Sequence, residues 1–230
     1  MKPFINKACL LAICVLCAAC SVQAKEKTAE PAVQPPKKET QAQTTTAKDP
    51  VQRLRDWDAK LNTLETAFEQ TSSYDGVVIS RSHGKLYYKK AGNLLRLDTL
   101  DDEQKTDQSA VTDKKVLKVL DAKGKVITSG AWADWVNGQP NKALFDFGNY
   151  SALLDAHRAT VFSSSAQRVI LLLTPKDGSD YKLYLLLDPK EYFPQTIIIE
   201  ADLMQTKADL KNTVKNKSVS QNLFKEVLAK

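Results

Sequence analysis

The feature that most constrains this chain is how little separates its β-type runs. Beyond Ser73 the apolar period drops to two, and Gly76–Ser82, Lys85–Lys90 and Asn93–Thr99 carry Val, Ile, Tyr and Leu on short segments. Their separators are Ser82-His83-Gly84 and Ala91-Gly92-Asn93. Gaps this short join antiparallel hairpins, because a parallel crossover needs about a dozen residues or more. The pattern resumes in residues 115–130, two strands about Asp121-Ala122-Lys123-Gly124, and in residues 167–187, with Asp177-Gly178 at the turn. Gln195–Leu203 follows, then a weaker strand over 207–215. The expectation is a mainly β, α+β domain: one antiparallel meander of about 9–11 strands.

The strongest of these strands are apolar on both faces. Val169-Ile170-Leu171-Leu172-Leu173, Leu185-Leu186-Leu187 and Ile197-Ile198-Ile199 do not alternate, whereas an antiparallel sheet wetted on one side would. Two helices are available to cover them. Asp49 as N-cap and Pro50 at the first helical position open an amphipathic helix over 50–71. Its stripe is Leu54, Trp57, Leu61, Leu64 and Phe68, at steps of three and four. Phe147–His157 carries Tyr150, Leu153 and Leu154 at helical spacing, and Asp134–Asn141, with Gly138 and Pro140, reads as a loop. So little helix implies a curled sheet, whose concave face either packs the helices fully or lines an apolar cavity.

Upstream of the domain the composition changes twice. Lys2 and Lys7 precede an uninterrupted apolar stretch, Ala8–Ala19. It is too short for a bilayer, which takes about 20 apolar residues, so residues 1–24 read as a signal sequence and the remainder as exported from the cytoplasm. Val22-Gln23-Ala24 offers a cleavage site for a soluble product. Leu16-Cys17-Ala18-Ala19-Cys20 is similar to a lipobox, with Cys17 where Leu is usual, and would leave Cys20 lipidated as a membrane anchor. Residues 25–49, rich in Pro, Thr, Lys and Gln, cannot bury enough surface to order themselves and read as a linker or tether to the domain at 50–230.

Chemistry-bearing residues are sparse. All four cysteines lie within the first twenty residues, which excludes disulfides, thiolate metal sites and a Cys nucleophile from the domain. Of the two histidines, His83 sits beside Gly84 in an expected turn and His157 at the end of the short helix, where a His meets free carbonyls. No nucleophile elbow, zinc-type His-Glu-x-x-His or phosphate-cradling glycine loop is present. Asp101-Asp102-Glu103 reads as a polar loop. The net charge is +6; two leader lysines and a balance of +1 over residues 21–50 leave +3 for the domain, its signs interleaved. Without a basic stripe a nucleic-acid partner is not expected. Neither an enzyme nor a cofactor or metal is expected.

Several local phrases point further. They are Ala67-Phe68-Glu69-Gln70 closing the opening helix, Gly84-Lys85-Leu86-Tyr87-Tyr88 at a strand start, and Asn93-Leu94-Leu95-Arg96 in the next strand. Leu173-Thr174-Pro175-Lys176 and Leu187-Asp188-Pro189-Lys190 with Phe193-Pro194 follow later. In this order they resemble the periplasmic lipoprotein carrier family of the LolA type, loosely over 51–230. The resemblance implies an incomplete, curled antiparallel β-barrel with helices as a lid, and a monomer that carries lipoprotein acyl chains. It also implies an inner-membrane lipoprotein-releasing transporter and an outer-membrane acceptor as partners. Candidate cavity residues are Trp57, Leu61, Leu64 and Phe68 from the helix, with Leu86, Tyr88, Leu95 and Leu97 from the strands. The family's lid-holding Arg is replaced by Lys90, which lacks the planar fork, with Arg96 as a substitute lid contact. An anchored acceptor, or a glycolipid- or other apolar-ligand-binding protein beside a membrane exporter, would share this plan.

Overall fold

The computed structural model describes residues 49–136 and 147–228. The leader, Cys20 and the linker before Asp49 lie outside the described residues, as does the expected loop beyond Val136. The first helix, α1 (Pro50–Lys60), starts where the sequence places it: the Asp49 carboxylate accepts from the Val51 amide at 3.1 Å, and Pro50 occupies the first turn.

The helix stops at Lys60 instead of continuing to 71. Leu61 caps it, donating its N–H to the Asp58 carbonyl at 3.2 Å. Leu64 and Phe68 therefore lie on a strand, β1 (Thr63–Tyr74). A spacing of four places residues on one side of a helix and equally on one face of a strand. The deciding positions lie between them: Leu64, Thr66, Phe68, Gln70 and Ser72 are all buried, a period of two. β1 has hydrogen-bonded neighbours on both edges, and that pairing overrides local helical preference.

The second correction concerns Ser82-His83-Gly84, which is not a turn. β2 runs unbroken from Val77 to Lys89, and these three residues pair with Gln70, Glu69 and Phe68 of β1. Gly84 is required by close approach. A Cβ there would stand 1.9 Å from the Asp98 carbonyl oxygen and 2.8 Å from Cε1 of Phe68.

The remaining strands are β3 (Leu94–Leu100), β4 (Thr106–Thr112), β5 (Val116–Leu120), β6 (Val126–Ala131), β7 (His157–Ser164), β8 (Val169–Pro175), β9 (Lys182–Leu187), β10 (Pro194–Ala201) and β11 (Met204–Lys215). Between β6 and β7 lie two short helices, α2 (Trp132–Val136) and α3 (Tyr150–Ala156); a 3-10 turn (Gln221–Phe224) and α4 (Lys225–Leu228) follow β11. The sheet has eleven strands in the order β6-β5-β4-β3-β2-β1-β11-β10-β9-β8-β7, at the upper end of the expected count. It is antiparallel and open: β6 and β7 stand at its edges. β4 and β7 were not expected, since polar Thr106-Asp107-Gln108 and Ser163-Ser164 mask their alternation.

The sheet curls. One core cluster takes side chains from β3 (Leu95) and from β8 (Val169, Leu171, Leu173), together with Leu54 of α1 and Leu153 of α3. Those strands are six places apart in the sheet, about 29 Å if it were flat, so this face is the concave one. The opposite face carries two smaller clusters. Leu94, Val111 and Leu120 pack on Phe224 of the C-terminal segment; Ile170, Tyr184 and Ile198 pack with Phe162, Leu172 and Leu186. The strands without alternation are thus buried on both faces, as their composition requires.

Replacing Gly84 by Ala should lower stability by about 1–3 kcal/mol, the usual cost of overpacking a well-filled interior. Urea unfolding would read it, and a variant within a few tenths of wild type would contradict the close approach.

Candidate functional site

The eight residues singled out for the concave face converge in one cluster, although from different elements than the sequence implied. Trp57 comes from α1, Leu61 from its C-cap, Leu64 and Phe68 from β1, Leu86 and Tyr88 from β2, and Leu95 and Leu97 from β3. Six of them are buried, while Trp57 and Leu97 are half-buried and pack against the rest. Trp57 packs on two other aromatic rings: it meets Tyr150 edge-on at 6.3 Å and lies tilted on Phe193 at 5.3 Å. Such pairs add about 0.5–1.5 kcal/mol beyond the area they bury.

The far half of the face could not be assigned from sequence. Leu171, Leu173, Leu183, Leu185, Ile197 and Ile199 line it, but strands apolar on both faces give no sign of which parity points inward. Leu54, fully buried, was on the visible stripe and belongs with the site.

A residue missed altogether is Asp58. It is 3% exposed and lies within the apolar stripe, four after Leu54 and three before Leu61. Its carboxyl oxygens accept from the Gly148 amide at 2.8 Å and the Tyr150 amide at 3.0 Å. Asn149, at the N-cap position of α3, makes no side-chain cap of its own. Asp58 supplies that function from the other helix. Beside it, Arg55 donates to the Asp155 carboxylate at 2.7 Å and to the Ser151 carbonyl at 3.1 Å. α1 and α3 are therefore joined by their own polar contacts and form a single cover over the concave face.

The cover is fastened to the sheet at its rim. Lys90 Nζ donates to the Ala59 carbonyl at 2.6 Å. The Asn216 amide donates to the Lys60 carbonyl at 3.3 Å and its oxygen accepts from the Asn62 N–H at 2.7 Å. At the α3 end, Lys114 Nζ donates to the Phe147 carbonyl at 3.0 Å. Arg96 does not take part. Its side chain points to the convex face, where it donates to Leu223 O at 3.1 Å, to Asp98 at 2.7 Å and to Ser109 at 2.9 Å. Alternation explains this, because Leu95 and Leu97 face the cover and Arg96 between them cannot.

The histidines have structural surroundings. His157 is buried; the Leu153 carbonyl, 2.7 Å from Nδ1, can only accept, so that nitrogen carries a proton, and Nε2 stands 2.8 Å from the Tyr181 hydroxyl. Burial first, and then the charge of Asp177, raises the Tyr181 hydroxyl above the usual tyrosine range. His83, on a strand rather than in a turn, pairs with the Gln104 amide at 2.9 Å. Among the described residues no three His, Cys, Asp or Glu side chains group as a metal site, and no helix is long and apolar enough to cross a membrane. Asp101 closes the β3–β4 turn by accepting from the Glu103 and Lys105 amides at 3.0 and 2.8 Å.

An open, curled antiparallel sheet with an apolar concave face under a two-helix cover defines the class of protein. The family model described as outer membrane lipoprotein carrier protein LolA matches residues 59–226, and the chain belongs to that family. No curated protein matches the sequence. Similar solved structures include MucB in the MucA/MucB complex of Pseudomonas aeruginosa, at 15% identity and a TM-score of 0.44 over 76% of this chain. The chain spans 59% of the length of that MucB. A LolA superfamily protein from Nitrosomonas europaea matches at 11% identity and a TM-score of 0.46, covering 79% of this chain and 98% of its own. Lipoprotein LppX from Mycobacterium tuberculosis matches at 8% identity and a TM-score of 0.46, covering 74% and 95%.

Substituting Asp58 by Ala would leave two amides without their acceptor, at a cost of about 1–3 kcal/mol. Hydrogen exchange in α3 should accelerate well before the central strands respond. Unchanged protection of α3 would show that Asp58 does not hold the cover together.

Proposed function

We propose that this chain is a periplasmic carrier that takes lipoprotein acyl chains beneath its helical cover and passes them toward the outer membrane. The observation that carries the reading is the mismatch between face and cover. A concave apolar face drawn from seven strands, β3 to β8 through β11, is closed by two helices of 11 and 7 residues, which are held at their rim by polar contacts. Family membership supports it, since the family's description is that of an outer membrane lipoprotein carrier.

The physics follows from exchange. An acyl chain gains about 0.8 kcal/mol for each CH₂ it removes from water. Moving α1 and α3 aside uncovers Leu54, Leu61, Leu153 and Leu154, and the incoming chain replaces them against the same sheet residues. The net driving force is a difference between two burials, which keeps binding reversible and needs no covalent step. Leu61 and Asn62, the two residues between α1 and β1, are the place where a hinge would act. Transporter and acceptor partners belong to this reading. The lipobox-like stretch ending at Cys20, followed by a linker, favours a second one: an anchored acceptor that receives acyl chains.

Mass spectrometry of the native protein reports bound lipid and mature N-terminus together. The expected result is a co-purified acyl lipid, and uptake of cis-parinaric acid by the delipidated chain. A chain that is lipid-free and refuses the probe would end the proposal. A lipidated Cys20 would favour the acceptor over the free carrier.

Lys90→Ala should free the end of α1 and quicken probe release about fivefold, equivalent to about 1 kcal/mol, with a small change in Tm. Stopped-flow displacement measures it; an unchanged release rate would remove Lys90 from the lid.

A further inference from the structure

A groove of about 610 Å³ runs beside α1, on the flank away from α3, and its lining is unbalanced in charge. Arg53 and Lys60 stand on its helical wall, Lys190 and Lys215 on the wall made by the β9–β10 loop and the end of β11. Against these four cations are two acids, Asp56 and Glu191. Glu191 pairs with Lys215, and Asp56 accepts from the Gln52 amide at 2.9 Å. The lining thus sums to two positive charges, one from each wall, with Asp188 as a further acid on the loop beside Lys190 and near Lys215.

A helix C-terminus would ordinarily repel an anion. Here three of its last four carbonyls are occupied: Asp58 O accepts from Leu61 N, Ala59 O from Lys90 Nζ and Lys60 O from Asn216 Nδ2. Arg53 is held over the Tyr192 ring, its Cζ 4.0 Å from the centroid, and Lys215 Nζ stands 5.5 Å from that of Phe193. Burial lowers the Lys215 pKa from the ordinary lysine range, with the charge of Asp188 acting the other way. An added anion would favour its charged form further. Trp57 and Leu61 line this groove and also touch the concave core, so the polar groove and the apolar face meet at the same two side chains.

We propose that the groove holds the anionic headgroup, a phosphate or carboxylate, of an amphiphile whose acyl chain lies under α1. The anion bridges cations on the lid helix to cations on the sheet, so the head of the ligand helps to hold the cover closed over its tail. This rests on the acyl-binding reading above and adds the charge of the ligand to it.

The mature full chain is titrated calorimetrically, below micelle-forming concentrations, with lysophosphatidylglycerol, lysophosphatidylcholine and glycerol 3-phosphate. The anionic lipid should bind about tenfold more tightly than the zwitterionic one, and glycerol 3-phosphate far more weakly than either. Lys60→Glu combined with Lys190→Glu should abolish the preference while keeping the affinity for lysophosphatidylcholine. Lys123→Glu with Lys125→Glu, at the remote β5–β6 turn, should keep the preference. Equal affinities for the two lipids would overturn the headgroup site and leave acyl binding standing. Glycerol 3-phosphate binding as tightly as the anionic lipid would overturn it in favour of a free-anion site. Loss of preference in the remote pair would overturn it in favour of general surface charge. Binding of neither lipid would overturn the acyl reading, and the headgroup site with it.

Discussion

The ladder between β1 and β11 is the contact on which the rest of the molecule depends. Every other neighbouring pair in the sheet is consecutive in sequence and can form locally as a hairpin. This one joins the first and last strands, bringing Asn62 to Asn216, 154 positions away. The entropy of closing so long a loop grows only slowly with length, but non-local pairing comes late and slows folding. Once made, it turns two meanders of six and five strands into one sheet wide enough to curl. It also sets α1, continuous with β1, against the end of β11 and the loop before β10. The concave face, the rim contacts and the charged groove are all consequences of that placement.

The same ladder grades the concave face. Near the helices it is apolar, with Leu64, Phe68 and Leu210. Farther along, Gln70, Ser72 and Thr206 are buried on the same side, and the Ser72 and Thr206 hydroxyls bond at 3.2 Å. Buried polar atoms must be matched within the fold, so this end is self-satisfied and offers an acyl chain little. The apolar stretch coincides with the reach of α1 and α3. Asp58 ties those two helices together, because its loss would strip the Gly148 amide and the buried Tyr150 amide of an acceptor. A cover built this way moves as a unit or locally unfolds.

Fold class, strand number and the surplus of apolar surface were legible because they depend on local period and on short separators. Three things were not. The end of α1 was hidden because Leu64 and Phe68 satisfy both periodicities, and only the pairing partners of β1 decide between them. Gly84 read as a turn because a glycine needed for close approach and a glycine needed for chain reversal are written alike. Asp58 was missed although it sits in the apolar stripe; it caps a helix some 90 positions later, which no local window contains. Burial of the cluster residues did not depend on the element type, for a physical reason. A position that buries its side chain toward the core does so from a helix or from a strand, so Leu64 and Phe68 reached the same cluster by another route.

The fastenings of the cover and its burial act on different quantities. Arg55–Asp155 is an exposed ion pair, contributing about 0–1 kcal/mol, and Lys90–Ala59 and Asn216–Lys60 are exposed hydrogen bonds to carbonyls, each contributing about 0.5–1.5 kcal/mol. The buried side chains beneath α1 and α3 are worth about 1.5–3 kcal/mol each. On the proposed function, opening is opposed mainly by apolar burial, which an acyl chain would restore on entry, and less by the rim contacts, which it would not. On that proposal the length of the acyl chain would set how tightly cargo is held, while the rim residues would adjust how readily the cover moves. The two could then be tuned separately, and Lys90, which reaches the end of α1 through the Ala59 carbonyl, would act on the second.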